Sequence, residues 1–105
     1  METYEIVWTF RAASDLKKVY HFYSQVIGEQ KAFAFILLLI ERVDRLSDKR
    51  FIKIGAVDEE FKHLKRDYRK MNEGDVKITY RISTSKHIVY INRIFDTRQH
   101  PSKNK

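Results

Sequence analysis

The chain has 105 residues, which is the size of one small domain, so we predict a single domain over residues 1–105 and exclude a multidomain enzyme. A composition of 43% hydrophobic and 13% aromatic residues excludes an intrinsically disordered chain. The net charge of +7 lies wholly in residues 60–105, because residues 1–59 are neutral; this asymmetry predicts an anionic partner, nucleic acid or an acidic protein segment, unless the charge only solvates the surface.

The N-terminal half predicts a strand followed by a helix. The β-prone run Tyr4–Trp8 predicts the strand, and Thr9 is a suitable N-cap for the helix. From Phe10 to Ile27, apolar residues recur at steps of three and four, which is typical of an amphipathic helix. Gly28 then ends the helix, since glycine adopts positive φ at little cost.

A second helix is predicted from Glu29 or Gln30 to about Leu46, and the short turn before it makes the two helices an antiparallel hairpin. This helix is apolar on more than one stripe, which indicates that it is covered on a second side or binds a partner. The residues outside its main apolar face are Phe33, Leu37 and Leu38.

The C-terminal half predicts a meander of strands. Residues 51–57 are too apolar for a solvated linker, and we expect them to pack against the hairpin. Residues 60–72 fit a basic helix or a strand, and we favour a strand near His63–Met71 because two strands follow it. A turn at residues 73–75 leads into alternating apolar and polar residues at 76–84.

A second turn at residues 84–86 leads to a strand at 87–95 that we expect to be buried on much of both faces, and residues 97–105 form a short polar tail. The predicted fold class is therefore α+β: an N-terminal strand, an antiparallel helix hairpin and a three-stranded antiparallel meander.

Basic residues recur along the predicted meander. Three adjacent strands would turn such a row into a basic patch beside exposed Tyr68 or Tyr90, and clustered arginines suit phosphate groups. The alternative is ordinary outward-facing strand residues that protect the sheet against edge pairing. The members of the row are Arg69, Lys77, Arg81 and Arg93.

Metal and cofactor sites are not expected. The chain has no Cys, and its four His, at positions 21, 63, 87 and 100, lack the spacing of metal ligands. His100 follows Arg98 by two residues, where it can act as a general acid or base in RNA cleavage or can simply be a solvated tail residue. The longest apolar run, Ala32–Ile40, is too short to cross a bilayer, and no signal peptide is evident, so we expect a soluble cytoplasmic protein.

Four segments of the chain stand out together: V-W-T-x-R-A-x-x-D-L at 7–16, Gly28-Glu29, I-T-Y-R-I at 78–82 and I-F-D-T-R-Q-H-P-x-K at 94–103. In this order they resemble the RelE/ParE superfamily of toxins from bacterial type II toxin–antitoxin systems, and the ParE branch most closely. The resemblance implies a helix hairpin packed on a mostly antiparallel sheet. It also implies growth arrest, a role in plasmid stabilisation, and a cognate ParD-like antitoxin whose acidic, amphipathic C-terminal segment covers Phe33, Leu37 and Leu38.

The two branches of this superfamily act differently. RelE-like members cut mRNA on the ribosome, whereas ParE-like members inhibit DNA gyrase and have lost the catalytic residues. By motif, Lys77 and Arg98 match basic catalytic positions and Arg69 lies near another, but the ending has no Tyr and only His100 can replace it.

The resemblance therefore favours a non-enzymatic gyrase inhibitor, with no catalytic residues. The target-binding residues are then Arg69, Lys77, Arg81, Arg93 and Arg98. The alternatives are a ribosome-dependent endoribonuclease that uses Lys77, Arg98 and His100, and an inactive toxin homologue that only binds its antitoxin.

Overall fold

The computed structural model describes residues 3–48, 51–52, 55–57 and 67–98. The elements, in chain order, are β1 (Glu5–Trp8), α1 (Phe10–Ile27), α2 (Glu29–Asp44), a short 3-10 helix (Arg45–Ser47), β2 (Ala56–Val57), β3 (Asp67–Glu73), β4 (Val76–Ser83) and β5 (Ile88–Asp96). The strands form one sheet in the order β1-β5-β4-β3-β2. β1 is parallel to β5 and the other neighbours are antiparallel, which confirms the predicted α+β order and makes the sheet mixed.

The helix hairpin follows the sequence pattern closely. The Thr9 Oγ1 accepts a hydrogen bond from the backbone N of Ala12 at 3.1 Å, so Thr9 caps α1 as predicted. Gly28, with φ of +91°, separates α1 from α2, and this positive φ explains the glycine between the helices. α2 ends at Asp44, two residues before the predicted end at Leu46, because the 3-10 helix takes over there.

The core lies between the hairpin and one face of the sheet. Val76, Ile78, Tyr80 and Ile82 of β4 all point into it, which confirms the predicted alternation along this strand. The helices contribute buried side chains at three- and four-residue spacing: Ala12, Asp15, Val19 and Tyr23 from α1, and Ala32, Ile36, Leu39 and Val43 from α2. No described helix packs on the opposite face of the sheet, which we call the outer face.

β5 carries a bulge where its pairing with β4 shifts. Thr79 pairs with Arg93 but Tyr80 pairs with Ile91, so Asn92 is an extra residue. Because of this insertion, the core-facing side chains are Ile91 and then Ile94. One face of β5 is buried. The side chains on its other face are only half-buried, whereas the sequence predicted burial on much of both faces.

The segment at 51–57 adds to the sheet in addition to lining the core. Ile52 is buried with the core residues, as expected, but Ala56–Val57 forms β2 and pairs with β3 at the sheet edge, which the sequence did not predict. The predicted strand near His63–Met71 is described only from Asp67, where β3 begins; residues 58–66 lie outside the described residues.

Candidate functional site

The outer face of the sheet carries basic and aromatic side chains in neighbouring rows. Across three strands, Tyr68 of β3, Arg81 of β4 and Tyr90 of β5 are register partners, so their side chains share the outer face. Lys77 lies four residues before Arg81 on the same face, opposite Phe95. We call this surface the outer basic face, and its residues are Tyr68, Lys70, Lys77, Arg81, Tyr90 and Phe95.

Both predicted β4 cations lie over aromatic rings. The Arg81 Cζ is 4.2 Å from the centroid of the Tyr90 ring, and the Lys77 Nζ is 5.7 Å from that of Phe95. Neither side chain forms an ion pair with another residue in the part of the chain that the structure describes. Their positive charges are therefore available to an anionic partner.

Arg69 does not continue this row, so that part of the predicted patch is wrong. Its register partner is Tyr80, whose side chain is buried on the hairpin side of the sheet. The Arg69 Nε donates to the Asp67 Oδ1 at 2.8 Å and its Nη1 donates to the Gly55 carbonyl at 3.1 Å. Lys70, the next residue, lies on the outer face instead, because strand side chains alternate.

Arg93 does not contribute an unpaired charge to the predicted patch either, because its guanidinium pairs with Asp15 of α1. Its Nε donates to the Asp15 Oδ2 at 2.8 Å, and the backbone N of Ile94 donates to the same oxygen at 3.0 Å. Asp15 is only 5% exposed. The carboxylate therefore joins α1 to β5 just beyond the bulge, where it satisfies a backbone N–H and balances one arginine.

Arg98 is tied to a buried carboxylate. Its backbone N, at 2.8 Å, and its guanidinium donate to Asp96, and the hydroxyl of Tyr23 donates to the Asp96 Oδ2 at 2.6 Å. Arg98 also donates to the Tyr23 oxygen at 3.1 Å and pairs with Asp75 at 3.2 Å. Two carboxylates thus share one guanidinium whose side chain remains 49% exposed.

The electrostatics of this cluster favour the charged pair. Burial opposes ionisation of Asp96, but hydrogen bonds from Arg98 and Tyr23 outweigh it and lower the pKa of that carboxyl. Burial, reinforced by the bond to Asp96, raises the pKa of Tyr23 to about 12. The hydrogen bond to Asp96 raises the pKa of Arg98. Near neutral pH, Asp96 and Arg98 are therefore charged and Tyr23 is protonated, and together they fasten residues 96–98 to α1.

The members of these clusters that were not among the predicted site residues are Asp15, Tyr23, Asp75 and Asp96. A signal for Asp96 was present, since it lies two residues after core-facing Ile94 and strand residues two apart share a face. Asp15 falls among the buried positions of α1, four residues before Val19.

A groove on the hairpin lies on the far side of the molecule's core from the outer face. Its volume is about 410 Å³, and its lining is mainly apolar: Leu16, Lys17, Tyr20, His21, Phe33 and Ile36. Phe33 and Leu37 are 57% and 51% exposed, as expected of residues outside the main apolar face. Leu38 is half-buried and offers less surface. We call this surface, together with Leu37, the hairpin groove.

Two of the four histidines, His21 and His87, lie within the described residues. His63 and His100 lie outside the described residues, whereas His21 borders the hairpin groove and His87 lies in the turn between β4 and β5. Among the residues that the structure describes, no three or more His, Cys, Asp or Glu side chains are placed to hold a metal ion. Within the same ranges, no helix combines the length and apolar character that a membrane span requires.

A protein-family model matches most of the chain. Residues 6–101 match the family model described as the ParE toxin of the type II toxin–antitoxin system, parDE. Comparison with curated protein sequences gives no match.

Two solved structures share the fold. A chain of the chromosomal ParDE toxin–antitoxin system from P. aeruginosa is similar with a TM-score of 0.73 and 23% identity, covering 90% of this chain and 96% of that one. A chain of the RelBE2 toxin–antitoxin complex from Mycobacterium tuberculosis is similar with a TM-score of 0.63 and 20% identity, covering 91% and 93%.

Proposed function

The chain belongs to the family of ParE toxins of type II toxin–antitoxin systems, and from this premise we propose that it arrests growth by binding and inhibiting DNA gyrase in the cytoplasm. A cognate antitoxin neutralises it, and the pair stabilises the plasmid that encodes it. The observation that carries the proposal is the pairing of Arg98 with Asp96 and Asp75, which favours a binding protein over a nuclease.

A nuclease would require the Arg98 guanidinium to contact a phosphate of its substrate. A catalytic arginine stabilises the negative charge that develops on a phosphate in the transition state. Here two carboxylates already hold the guanidinium, one of them fully buried. Recruiting Arg98 to a phosphate would break that cluster, so the geometry supports a role in holding residues 96–98 in place.

Gyrase binding is assigned to the outer basic face. Lys77 and Arg81 are the two predicted target-binding residues whose charges are not paired within the described residues. Arginine beside aromatic side chains is typical of the residues that dominate binding energy at protein interfaces. Arg69, Arg93 and Arg98 then act indirectly, through the ion pairs that shape the sheet and its edge.

Antitoxin binding is assigned to the hairpin groove. Phe33 and Leu37 expose apolar surface, while Lys17 and His21 border the groove with polar, basic groups. An amphipathic segment with acidic residues along its flank fits this chemistry, because its apolar side chains fill the groove and its carboxylates meet Lys17. Leu38 is a minor contributor, since it is half-buried.

The gyrase proposal is tested with purified toxin in a DNA supercoiling assay. The wild type should inhibit supercoiling, and the double variant Lys77→Gln/Arg81→Gln should need at least about tenfold more protein, because truncating a binding hot spot costs about 1–2 kcal/mol or more. The matched control is Arg11→Gln/Lys18→Gln, which removes two exposed cations from α1 and should inhibit like the wild type.

Absence of inhibition by a folded wild-type toxin would overturn the gyrase proposal. Ribosome-dependent mRNA cleavage by the same preparation would identify an endoribonuclease. Absence of toxicity in a wild-type protein that still binds its antitoxin would identify an inactive homologue.

The antitoxin surface is tested separately, by co-expression with the antitoxin. Leu37→Glu places a carboxylate in the groove and should weaken neutralisation, because it repels an acidic segment and removes apolar contact. Phe10→Glu is the control, since Phe10 is 97% exposed and lies outside the groove lining. Equal neutralisation of both variants would contradict the assignment.

A further inference from the structure

We propose that a pocket at the turn between β4 and β5 binds one nucleotide of a single-stranded nucleic acid. The pocket has a volume of about 440 Å³ and lies at the end of the outer basic face. We call it the turn pocket, and its lining residues are Asp67, Arg81, Ile82, Ser83, Thr84, Ser85, Lys86 and Tyr90. This proposal goes beyond gyrase inhibition, because it requires no gyrase.

The charges of the turn pocket favour a phosphate. Arg81 forms no ion pair with another described residue, and Lys86 is exposed on the turn. The one carboxylate in the lining, Asp67, is bonded to the Arg69 Nε at 2.8 Å, so its negative charge is already balanced. Hydroxyl groups of the turn at Ser83, Thr84 and Ser85 add hydrogen-bond donors for phosphate oxygens.

The aromatic part of the turn pocket favours a nucleobase. The Arg81 Cζ lies 4.2 Å from the centroid of the Tyr90 ring, and both side chains line the pocket, so they offer a base an aromatic ring and a guanidinium plane for stacking. Tyr68 lies beside Arg81 across β3 in the same row. Cations beside aromatic rings form the sequence-tolerant platform that single-stranded nucleic acids use, whereas the bases of a duplex are already stacked and paired.

The wall of the turn pocket is held in place by the rest of the sheet. His87 closes the turn with φ of +55°, a left-handed conformation that is uncommon outside glycine. Its carbonyl accepts a hydrogen bond from the backbone N of Glu5 at 2.9 Å, and the Tyr4 ring packs edge-on against its ring at 5.0 Å. β1 therefore supports the turn, which lowers the ordering cost of binding.

The outer basic face extends the row of positive charges away from the turn pocket. Lys77 lies four residues from Arg81 on β4, about 13 Å along the strand, and Lys70 lies between them on β3. A strand whose one nucleotide occupies the pocket can therefore place neighbouring phosphates near these lysines. This arrangement predicts binding that is strongly salt-dependent and nearly independent of sequence.

The test measures binding of a fluorescein-labelled oligothymidylate of about 10 nucleotides to the full chain, freed of antitoxin, by fluorescence anisotropy. The wild type should bind, and the slope of log K against log salt should be about −2 for three neutralised phosphates. Arg81→Gln should weaken binding about tenfold and Lys86→Gln about threefold. Lys18→Gln, which removes an exposed cation from α1, should bind like the wild type.

Tyr90→Leu separates the base from the phosphate. It should weaken oligothymidylate binding about tenfold but leave binding of inorganic polyphosphate unchanged, because only the nucleobase stacks. Circular dichroism checks that the variant is folded, and Lys86→Gln provides a test at an exposed residue. The proposal is overturned if the folded wild type does not bind, if Arg81→Gln binds as the wild type does, or if polyglutamate competes as well as oligothymidylate.

Discussion

Replacing Asp96 by asparagine tests whether the buried carboxylate is what fastens the end of β5 to α1. The side chain is fully buried and accepts hydrogen bonds from the Tyr23 hydroxyl at 2.6 Å and from Arg98. Asparagine has nearly the same shape, but it carries one acceptor oxygen and places an NH₂ group where the second oxygen was. At least one donor therefore loses its partner, and the charge that balances Arg98 is removed.

The cost follows from which donors can reach water. A hydrogen bond to a charged group contributes about 1.5–3 kcal/mol, and the Tyr23 hydroxyl is buried, so its loss counts in full. The Arg98 side chain is half exposed and can turn to solvent, so its loss is discounted. We expect Asp96→Asn to lower the free energy of unfolding by about 3 kcal/mol, out of a total that is about 5–15 kcal/mol for such a domain.

The assay is equilibrium unfolding in urea at pH 7, where a loss of this size lowers the midpoint by about 2 M. Asp75→Asn is the matched control, because Asp75 pairs with the same Arg98 but is 54% exposed. An exposed ion pair contributes less than about 1 kcal/mol. Equal losses for Asp96→Asn and Asp75→Asn would refute the reasoning, since burial would then not decide the cost.

The pH dependence of stability provides an independent test of the role of Asp96. The folded protein lowers the pKa of Asp96 below its value in the unfolded chain, which is about 4. The stabilisation is therefore complete above about pH 4 and is lost as the pH falls through the folded value. The stability difference between the wild type and Asp96→Asn should shrink in acid, and a difference that grows there would contradict the assignment.

Three further changes test other contacts, each by urea unfolding. Asp15→Ala leaves the backbone N–H of Ile94 unpaired and should cost about 2–4 kcal/mol; a loss below 1 kcal/mol would show that water replaces the carboxylate. Tyr80→Phe removes a buried hydroxyl that accepts from the Gly55 backbone N at 2.9 Å and should cost about 2 kcal/mol, whereas an unchanged midpoint would show that this bond is dispensable. Tyr23 has a pKa of about 12 when folded and about 10 when unfolded, so its stabilisation is complete below pH 10 and lost as the pH rises toward 12; Tyr23→Phe should lack that alkaline loss.

The helix hairpin and β4 could be predicted from local pattern because their burial follows a simple period. The three- and four-residue steps of α1, its Thr9 cap and Gly28 at its end locate the helix, and strict alternation locates β4. The face on which Arg69 lies is also set by local sequence, through the short turn that follows β3. With the two-residue turn at Gly74, β3 and β4 pair in a register that places Arg69 opposite buried Tyr80.

The paired charges could not be predicted in the same way, because their partners are distant in sequence. Asp15 bonds with Arg93 and Tyr23 with Asp96, each more than 70 residues away. The bulge at Asn92 changes the phase of β5, so no uniform alternation describes that strand. A basic residue on a strand gives the same sequence pattern whether it is paired, as Arg93 is, or forms no ion pair with another described residue, as for Lys77.

The parallel pairing of β1 with β5 means that the sheet is completed late in synthesis. The strand Glu5–Trp8 cannot pair until Ile88–Ile91 has been synthesised. The turn at His87 also depends on β1, because the His87 carbonyl accepts a hydrogen bond from the backbone N of Glu5. Contacts so distant in sequence slow folding, because a long loop must close before they form. At about 5–20 residues per second, translation delays β5 by several seconds after β1 has emerged. A nascent chain therefore has an interval in which the outer face and the turn at His87 are unfinished, because both depend on β5 and its pairing with β1.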